Sequence, residues 1–129
     1  MPRPADVMEG EIADYWIEDG ILFSDSKSVR RTVELIRANV ALVKRITGGK
    51  KMPLLIFLKD SPVPDRETRR FSNEQVPEIY SAMAMVSKPG LSQLIMKLVF
   101  NLQRPPIPMK SFTTEADARA WLKGLVRSS

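Results

Sequence analysis

The N-terminal quarter of the chain has the alternating pattern of paired strands. Apolar and polar residues alternate loosely over 12–18, the pattern stops at Asp19-Gly20, and an apolar run follows at 21–23. Successive side chains of a strand point to opposite faces, and an Asp-Gly pair between two such runs is a strong hairpin signal. The pattern therefore predicts two antiparallel strands, at about 11–17 and 20–24.

The next stretch has the period of an amphipathic helix. Its apolar residues are spaced alternately by four and three, which places them on one helical face: Val29, Val33, Ile36, Val40 and Val43. Asn39 is a polar interruption of this apolar face. The run 24–26 can cap the start of the helix, and Gly48-Gly49 can end it. We expect this helix to cover a sheet.

A continuous apolar run at 52–58 predicts a strand that is buried on both faces, at the centre of an α/β sheet. Two prolines in the loop that follows exclude a helix or a central strand there. Asp65 can then cap a short helix, with a break near Ser72-Asn73. A second buried strand is predicted at 82–86.

The C-terminal third predicts two helices with a strand between them. Apolar residues form a helical face over 91–103, a proline-rich connector occupies 104–108, and 109–112 is a plausible strand pattern. The last helix opens at 113–115 and presents an apolar face, formed by Ala118, Trp121, Leu122 and Leu125.

The predicted order is β-β-α-β-α-β-α-β-α, which is typical of an α/β protein with a single mixed sheet and helices packed on it. Right-handed crossovers make the later strands parallel. The chain length of 129 residues fits one domain over 1–129. Residues 1–9 are predicted to be a loose N-terminal segment.

Composition narrows the chemistry, because the chain contains neither histidine nor cysteine. Imidazole-based catalysis, thiolate nucleophiles, disulfides and the usual structural zinc sites are therefore excluded. We predict no catalytic residues, no cofactor and no metal site. The longest apolar run is far shorter than the roughly 20 residues of a spanning helix, so we expect no membrane span and a cytoplasmic location.

Charge is distributed unevenly along the chain. Residues 1–25 carry seven acidic side chains and one basic one, whereas 26–51 carry eight basic side chains and one acidic one. We expect the acidic hairpin to lie beside the basic helix and partly neutralise it. Nucleic-acid readers usually combine a basic groove with exposed aromatic residues, and 26–51 contains no aromatic residue, which disfavours a nucleic-acid partner.

Five short segments of the sequence resemble those of a known group of proteins. They read DRETRRF at 65–71, AMAMVS at 82–87, FNLQRPPIP at 100–108, FTTEA at 112–116 and AWL at 120–122. With them the chain resembles the STAS-like proteins, the domains of sulphate transporters and anti-sigma-factor antagonists. It resembles more closely a group of small uncharacterised bacterial proteins related to them. The resemblance covers roughly residues 10–126 and implies a STAS-like fold.

The resemblance also implies a regulatory loop after the central strand. In anti-sigma-factor antagonists this loop carries a Ser or Thr at a helix N-terminus, which a partner kinase phosphorylates. The best-matching position here is Asp65, and Ser61 lies four residues earlier, without the Asp-x-Ser-Gly context of that family. We therefore expect Ser61 to be a turn residue. The candidate interaction or regulatory loop comprises Asp60, Ser61, Asp65, Arg66 and Arg69.

Three functions remain open. The first is a non-catalytic STAS-like interaction or regulatory module of a bacterium, a homodimer that binds another protein. The second is a carrier or sensor of a small apolar or anionic ligand, held in a pocket under helix 91–103. This alternative depends on methionines, which line adaptable pockets: Met83, Met85, Met96 and Met109. The third is an enzyme that uses arginines and the carboxylates Asp60, Asp65 and Glu67.

Overall fold

The structure is a computed structural model, which describes residues 6–91 and 106–128. In these ranges the strands are β1 (Met8–Glu9), β2 (Ala13–Glu18), β3 (Ile21–Ser26), β4 (Met52–Phe57), β5 (Tyr80–Val86) and β6 (Met109–Phe112). The helices are α1 (Val33–Thr47), α2 (Arg66–Ile79) and α3 (Glu115–Ser128). The predicted helix 91–103 lies outside the described residues, apart from Leu91.

The described strands form one mixed sheet in the order β1-β2-β3-β4-β5-β6. Strands β1, β2 and β3 pair antiparallel, whereas β3 to β6 pair parallel. The predicted α/β class and single mixed sheet are therefore confirmed. Strand β1 lies within the segment 1–9 that the sequence predicted to be loose, and it pairs with β2 through Met8 and Tyr15.

The hairpin forms where the sequence predicted it. Asp19 and Gly20 both adopt positive φ, at 54° and 75°, which is the backbone of a turn whose twist matches that of two antiparallel strands. The two strands run further than predicted, because β3 continues to Ser26 opposite Ala13. The run 24–26 therefore does not cap α1, and that prediction was wrong.

Helix α1 begins instead at Val33, after Thr32. The Thr32 hydroxyl accepts a hydrogen bond from the Leu35 amide at 3.2 Å, which satisfies one of the free amides at a helix start. Gly48 ends the helix in a left-handed conformation, with φ 66°. Val29 consequently precedes the helix and is 36% exposed, rather than lying on its apolar face.

The predicted break in α2 near Ser72-Asn73 is also wrong, because the helix is continuous to Ile79. Val76 and Ile79 are buried against the sheet, and packing of an apolar face commonly decides helix formation over local propensity. Pro77 lies in the last turn of the helix.

The sheet is covered on both faces, and its central strand separates two cores. Leu54 of β4 packs with α1 and α2, whereas the adjacent Leu55 packs with α3 on the opposite face. Both leucines are almost completely buried. This confirms the two-sided burial that the apolar run predicted.

The acidic hairpin is neutralised by residues outside α1, which differs from the expectation. Arg119 of α3 forms ion pairs with Glu18 and with Asp19, the latter at 3.3 Å. Asp14 pairs with Lys27 at 3.1 Å, and Asp25 pairs with Lys59 at 3.1 Å. The charges of the hairpin therefore connect it to α3 and to the loops at its open end.

Candidate functional site

A cavity of about 220 Å³ lies between the sheet and helices α1 and α2. Its floor comes from β2 to β5, and its mouth is formed by the loop 58–64 that follows β4. The carboxyl ends of parallel strands are where open α/β sheets place ligands. The position and size of this cavity make it the candidate site.

Small side chains on β2 and β3 create the space. Ala13, Ser24 and Ser26 line the cavity beneath the helices, and Ser26 pairs with Ala13 across the two strands. Larger apolar residues at these positions would fill the volume between the sheet and α1. The cavity is therefore a consequence of the sequence at the strand positions that face α1.

A buried polar group stands on this side of the cavity. The Tyr15 hydroxyl donates a hydrogen bond to Asn39 Oδ1 at 2.8 Å. Asn39, the polar residue on the apolar face of α1, is therefore bonded to a residue of β2. Tyr15 is also hydrogen-bonded to Tyr80 of β5. These side chains join three elements around the cavity.

Burial raises the pKa of Tyr15 above its usual value of 10.0, although its polar neighbours Tyr80, Asn39 and Ser24 and the charge of Arg31 oppose the shift. Burial raises the pKa of Tyr80 still further, and the neighbouring Tyr15 adds to that increase. Both phenols are therefore neutral at physiological pH and act as hydrogen-bonding groups.

Arg31 adds a positive charge to the polar side. Its guanidinium is held by neutral oxygen atoms: Nη1 donates to the carbonyls of Lys27 and Val29 at 2.6 and 2.7 Å, and Nη2 donates to the Ile12 carbonyl and Ser26 Oγ at 3.1 and 2.8 Å. Burial lowers its pKa from the usual value, but an arginine stays charged in proteins.

The opposite side of the cavity is apolar. Leu54 and Ile56 of β4 pair with Met83 and Met85 of β5, and all four residues line the cavity. Two of the four methionines that suggested an adaptable pocket therefore lie at the site. Met109 packs at the edge of the same core, and Met96 lies outside the described residues.

The predicted interaction loop is at the mouth of the cavity. Asp60 and Ser61 line the mouth and are exposed, whereas Asp65, Arg66 and Arg69 belong to the start of α2 and do not line it. The structure therefore places the first two at the site and the other three beside it.

Asp65 has a structural task, as the sequence predicted. One of its carboxylate oxygens accepts a hydrogen bond from the Thr68 amide at 2.8 Å and caps α2. This hydrogen bond is the main reason that the pKa of Asp65 is lowered from 3.8, and the Thr68 hydroxyl, Arg30 and Arg69 act in the same direction.

The carboxylates considered for acid–base chemistry are all exposed, since Asp60, Asp65 and Glu67 lie at the surface. Within the described ranges, no group of three or more acidic side chains could hold a metal ion. No helix among the described residues has the length and hydropathy to cross a membrane.

Sequence reasoning missed the polar side of this cavity. Asn39 was visible as an interruption of an apolar face, but its partner Tyr15 lies 24 residues away on a strand. The alternation of apolar and polar residues in the predicted strands gave no indication that Tyr15, Ser24 and Tyr80 would lie around the same cavity. The sequence feature that could have indicated them is Asn39, a polar residue on a helical face that is otherwise apolar.

Comparisons with known proteins agree with the fold. A family model described as a domain of unknown function, DUF7793, matches residues 15–126. A crystal structure of an uncharacterised protein of the DUF3478 family from Shewanella loihica PV-4, described as having a SpoIIAA-like fold, matches with a TM-score of 0.62 and 15% identity. That match covers 95% of this chain and 98% of the other. The search of curated proteins found no match. At this identity the structural likeness shows the fold alone, which is the STAS-like arrangement that the resemblance implied.

Proposed function

The chain belongs to the DUF7793 family, and from the cavity that its SpoIIAA-like fold encloses we propose that it is a non-catalytic module that binds a small, largely apolar molecule. The ligand would occupy the space between the sheet and helices α1 and α2. This function corresponds to the carrier or sensor alternative, with the pocket placed under α1 and α2.

The cavity itself is the observation that supports this proposal. Protein interiors are close-packed, and few voids in them are larger than a water molecule. A cavity of about 150 Å³ lined by apolar side chains binds benzene, and the one here has about 220 Å³. A small ring or a short alkyl chain would fit it.

Binding of hexanamide and 1-hexanol tests the proposal. Both are neutral, and their chains are short enough for the cavity. Titration monitored by ¹H–¹⁵N NMR should shift the amides of residues such as Leu54 and Met83, which line the site. No saturable shift with either compound would overturn the proposal.

A matched pair of variants locates the binding. Ile56 and Val86 are both half-buried, but Ile56 lines the cavity whereas Val86 packs on the α3 side. Ile56→Phe should weaken hexanamide binding because the larger side chain reduces the space in the cavity, and Val86→Phe should leave it unchanged. Overpacking costs about 1–3 kcal/mol, so thermal unfolding of both variants would be measured alongside.

The interaction module is a second candidate, and two exposed valines, of which Val63 lies at the mouth, favour it. Val29 and Val63 are 36% and 43% exposed, and Arg30 bridges the two segments through a hydrogen bond to the Val63 carbonyl at 3.4 Å. The homodimer, the protein partner and the cytoplasmic location stay predictions.

Sedimentation equilibrium and affinity purification test this second candidate. A self-association or a partner that is lost in Val63→Asp but kept in Val7→Asp would support it, because Val7 is a half-buried valine on the other side of the sheet. A monomer that retains every partner in Val63→Asp would contradict the role of this surface.

A further inference from the structure

The cavity lining combines a group of polar side chains with a broad apolar surface. Tyr15, Ser24 and Asn39 come from β2, β3 and α1, whereas Leu54 and Met83 come from β4 and β5. A ligand in such a site has its polar group at one end and its apolar body at the other. The cavity therefore has a defined direction.

Arg31 adds a positive charge to the polar part of the lining, whereas Asp60 lies at the solvent-exposed mouth. Arg31 is half-buried, and the four hydrogen bonds of its Nη atoms all go to neutral oxygens. Within residues 6–91 and 106–128, no carboxylate forms a salt bridge with it. Arg31 lines the same cavity as Tyr15 and Ser24, so its charge attracts a negative group of a ligand there.

Ser24 offers a hydroxyl in the same polar part of the lining. Its Oγ is buried and has no hydrogen-bond partner among the described residues, and Ser24 pairs with Tyr15 in the β2–β3 register. Buried polar atoms are nearly always hydrogen-bonded. Ser24 faces the cavity, where a ligand oxygen would complete its hydrogen bonding.

We propose that the cavity selects a small monocarboxylate, whose carboxylate lies beside Tyr15 and Ser24 in the field of Arg31 and whose apolar body packs on Leu54 and Met83. This inference rests on the proposed function and names the ligand class. A single carboxylate matches the single uncompensated cation at the polar end. A second charge on the ligand would be buried among apolar side chains, which is strongly unfavourable.

The other cation at the site does not change this balance. Lys59 lines the mouth of the cavity, but its ammonium pairs with Asp25 at 3.1 Å. Its charge is therefore already compensated, and a doubly charged phosphate would find no second cation at the polar end of the described lining.

Hexanoate and hexanamide provide the test, because they differ in charge but hardly in size. With the unmodified protein at neutral pH, calorimetry should give an affinity for hexanoate about tenfold higher than for hexanamide, since hydrogen bonds to a charged acceptor are roughly twice as strong as neutral ones. Arg31→Gln should reduce this preference to about twofold or less.

Two further variants control for charge and for folding. Arg45 is exposed in the last turn of α1 and does not line the cavity, so Arg45→Gln should keep the full preference for hexanoate. Arg31→Lys retains the charge and should also keep it. Ser24→Ala, which leaves the hydrogen bonds of Arg31 in place, should weaken hexanoate binding by about threefold to tenfold.

The outcomes separate the two proposals. Equal affinity for hexanoate and hexanamide, or a preference for the amide, would overturn the monocarboxylate proposal and leave the binding function standing. Failure of both compounds to bind would overturn both. The hexanoate preference could instead persist in Arg31→Gln and be lost in Arg45→Gln. That result would show that a positive charge other than that of Arg31 sets the preference, and it would overturn the role given to Arg31.

Discussion

Asp65 is an acidic side chain that stabilises the local structure at the start of α2. It is exposed, it precedes α2, and its carboxylate accepts the hydrogen bond of the Thr68 amide. An anion at a helix N-terminus is stabilised by the free amides and by the helix dipole. The negative charge of Asp65 at neutral pH therefore stabilises the start of α2.

We expect Asp65→Ala to lower stability at neutral pH, because the cap of α2 is lost. The pKa of Asp65 is lower in the folded protein than its usual 3.8, so its charge-dependent stabilisation is complete above that value. It is lost as the pH falls through the folded pKa. Urea unfolding at neutral and at strongly acidic pH should therefore show a difference between the two proteins that shrinks in acid.

Asp65→Asn is the control for this prediction. Asparagine is as good an N-cap as aspartate but does not titrate. It should be close to the parent protein at neutral pH and should lack the acid-dependent part of its stability. A difference between parent and Asp65→Ala that is the same at both pH values would contradict the account.

At the scale of elements, Arg119 connects α3 to the β2–β3 hairpin. Its guanidinium lies 4.6 Å from the centre of the Phe23 ring and pairs with Glu18 and Asp19 of the hairpin and with Glu115 of its own helix. Only 18% of its side chain is exposed. Hydrogen bonds to charged groups at such a partly buried position contribute more than exposed ion pairs do.

We predict that Arg119→Met destabilises the protein by about 1–3 kcal/mol. Arg70→Met is the matched control, because Arg70 forms an ion pair with Glu74 at 3.6 Å in which both side chains are mostly exposed. That variant should change stability by no more than about 0.5 kcal/mol. Equal effects of the two substitutions in urea unfolding would contradict the role of Arg119.

At the scale of the whole molecule, one sheet supports two cores. Tyr15 lies in the core under α1 and α2, whereas Trp16, the next residue, lies in the core under α3. Adjacent residues of the same strand are buried in different cores. Because the two cores share the strands of one sheet, unfolding of one core would disrupt the sheet and expose the other core. This arrangement predicts a single cooperative unit, and the single domain expected from the chain length stays a prediction.

We expect urea unfolding to show one transition. Trp16 and Trp121 report on the α3 side by fluorescence, and far-UV circular dichroism reports on all the helices, so the two signals should have the same midpoint. Leu122→Ala, which removes a fully buried side chain on the α3 side, should cost about 2–5 kcal/mol and move both midpoints together. Two separated midpoints would contradict the single unit.

Much of the architecture was determined by the sequence alone. The hairpin at Asp19-Gly20, the central strand buried on both faces and the cap at Asp65 are local signals, because turn conformation, two-sided burial and capping depend on residues close together in the chain. They were sufficient for the mixed α/β sheet, whereas the STAS-like resemblance depended on the five segments quoted between residues 65 and 122. The start of α1 and the length of α2 were misjudged, because pairing of β3 with β2 and burial of Ile79 override local capping and breaking signals.

The cavity was decided by the tertiary structure. Tyr15, Asn39 and Tyr80 are far apart in sequence and meet because β2, α1 and β5 surround the same space. The volume between a sheet and its helices depends on how all the facing side chains fill it, and this sum cannot be obtained from the period of any one element. The sequence therefore determined which elements form, and their packing determined that a directional cavity with Arg31 at its polar end lies between them.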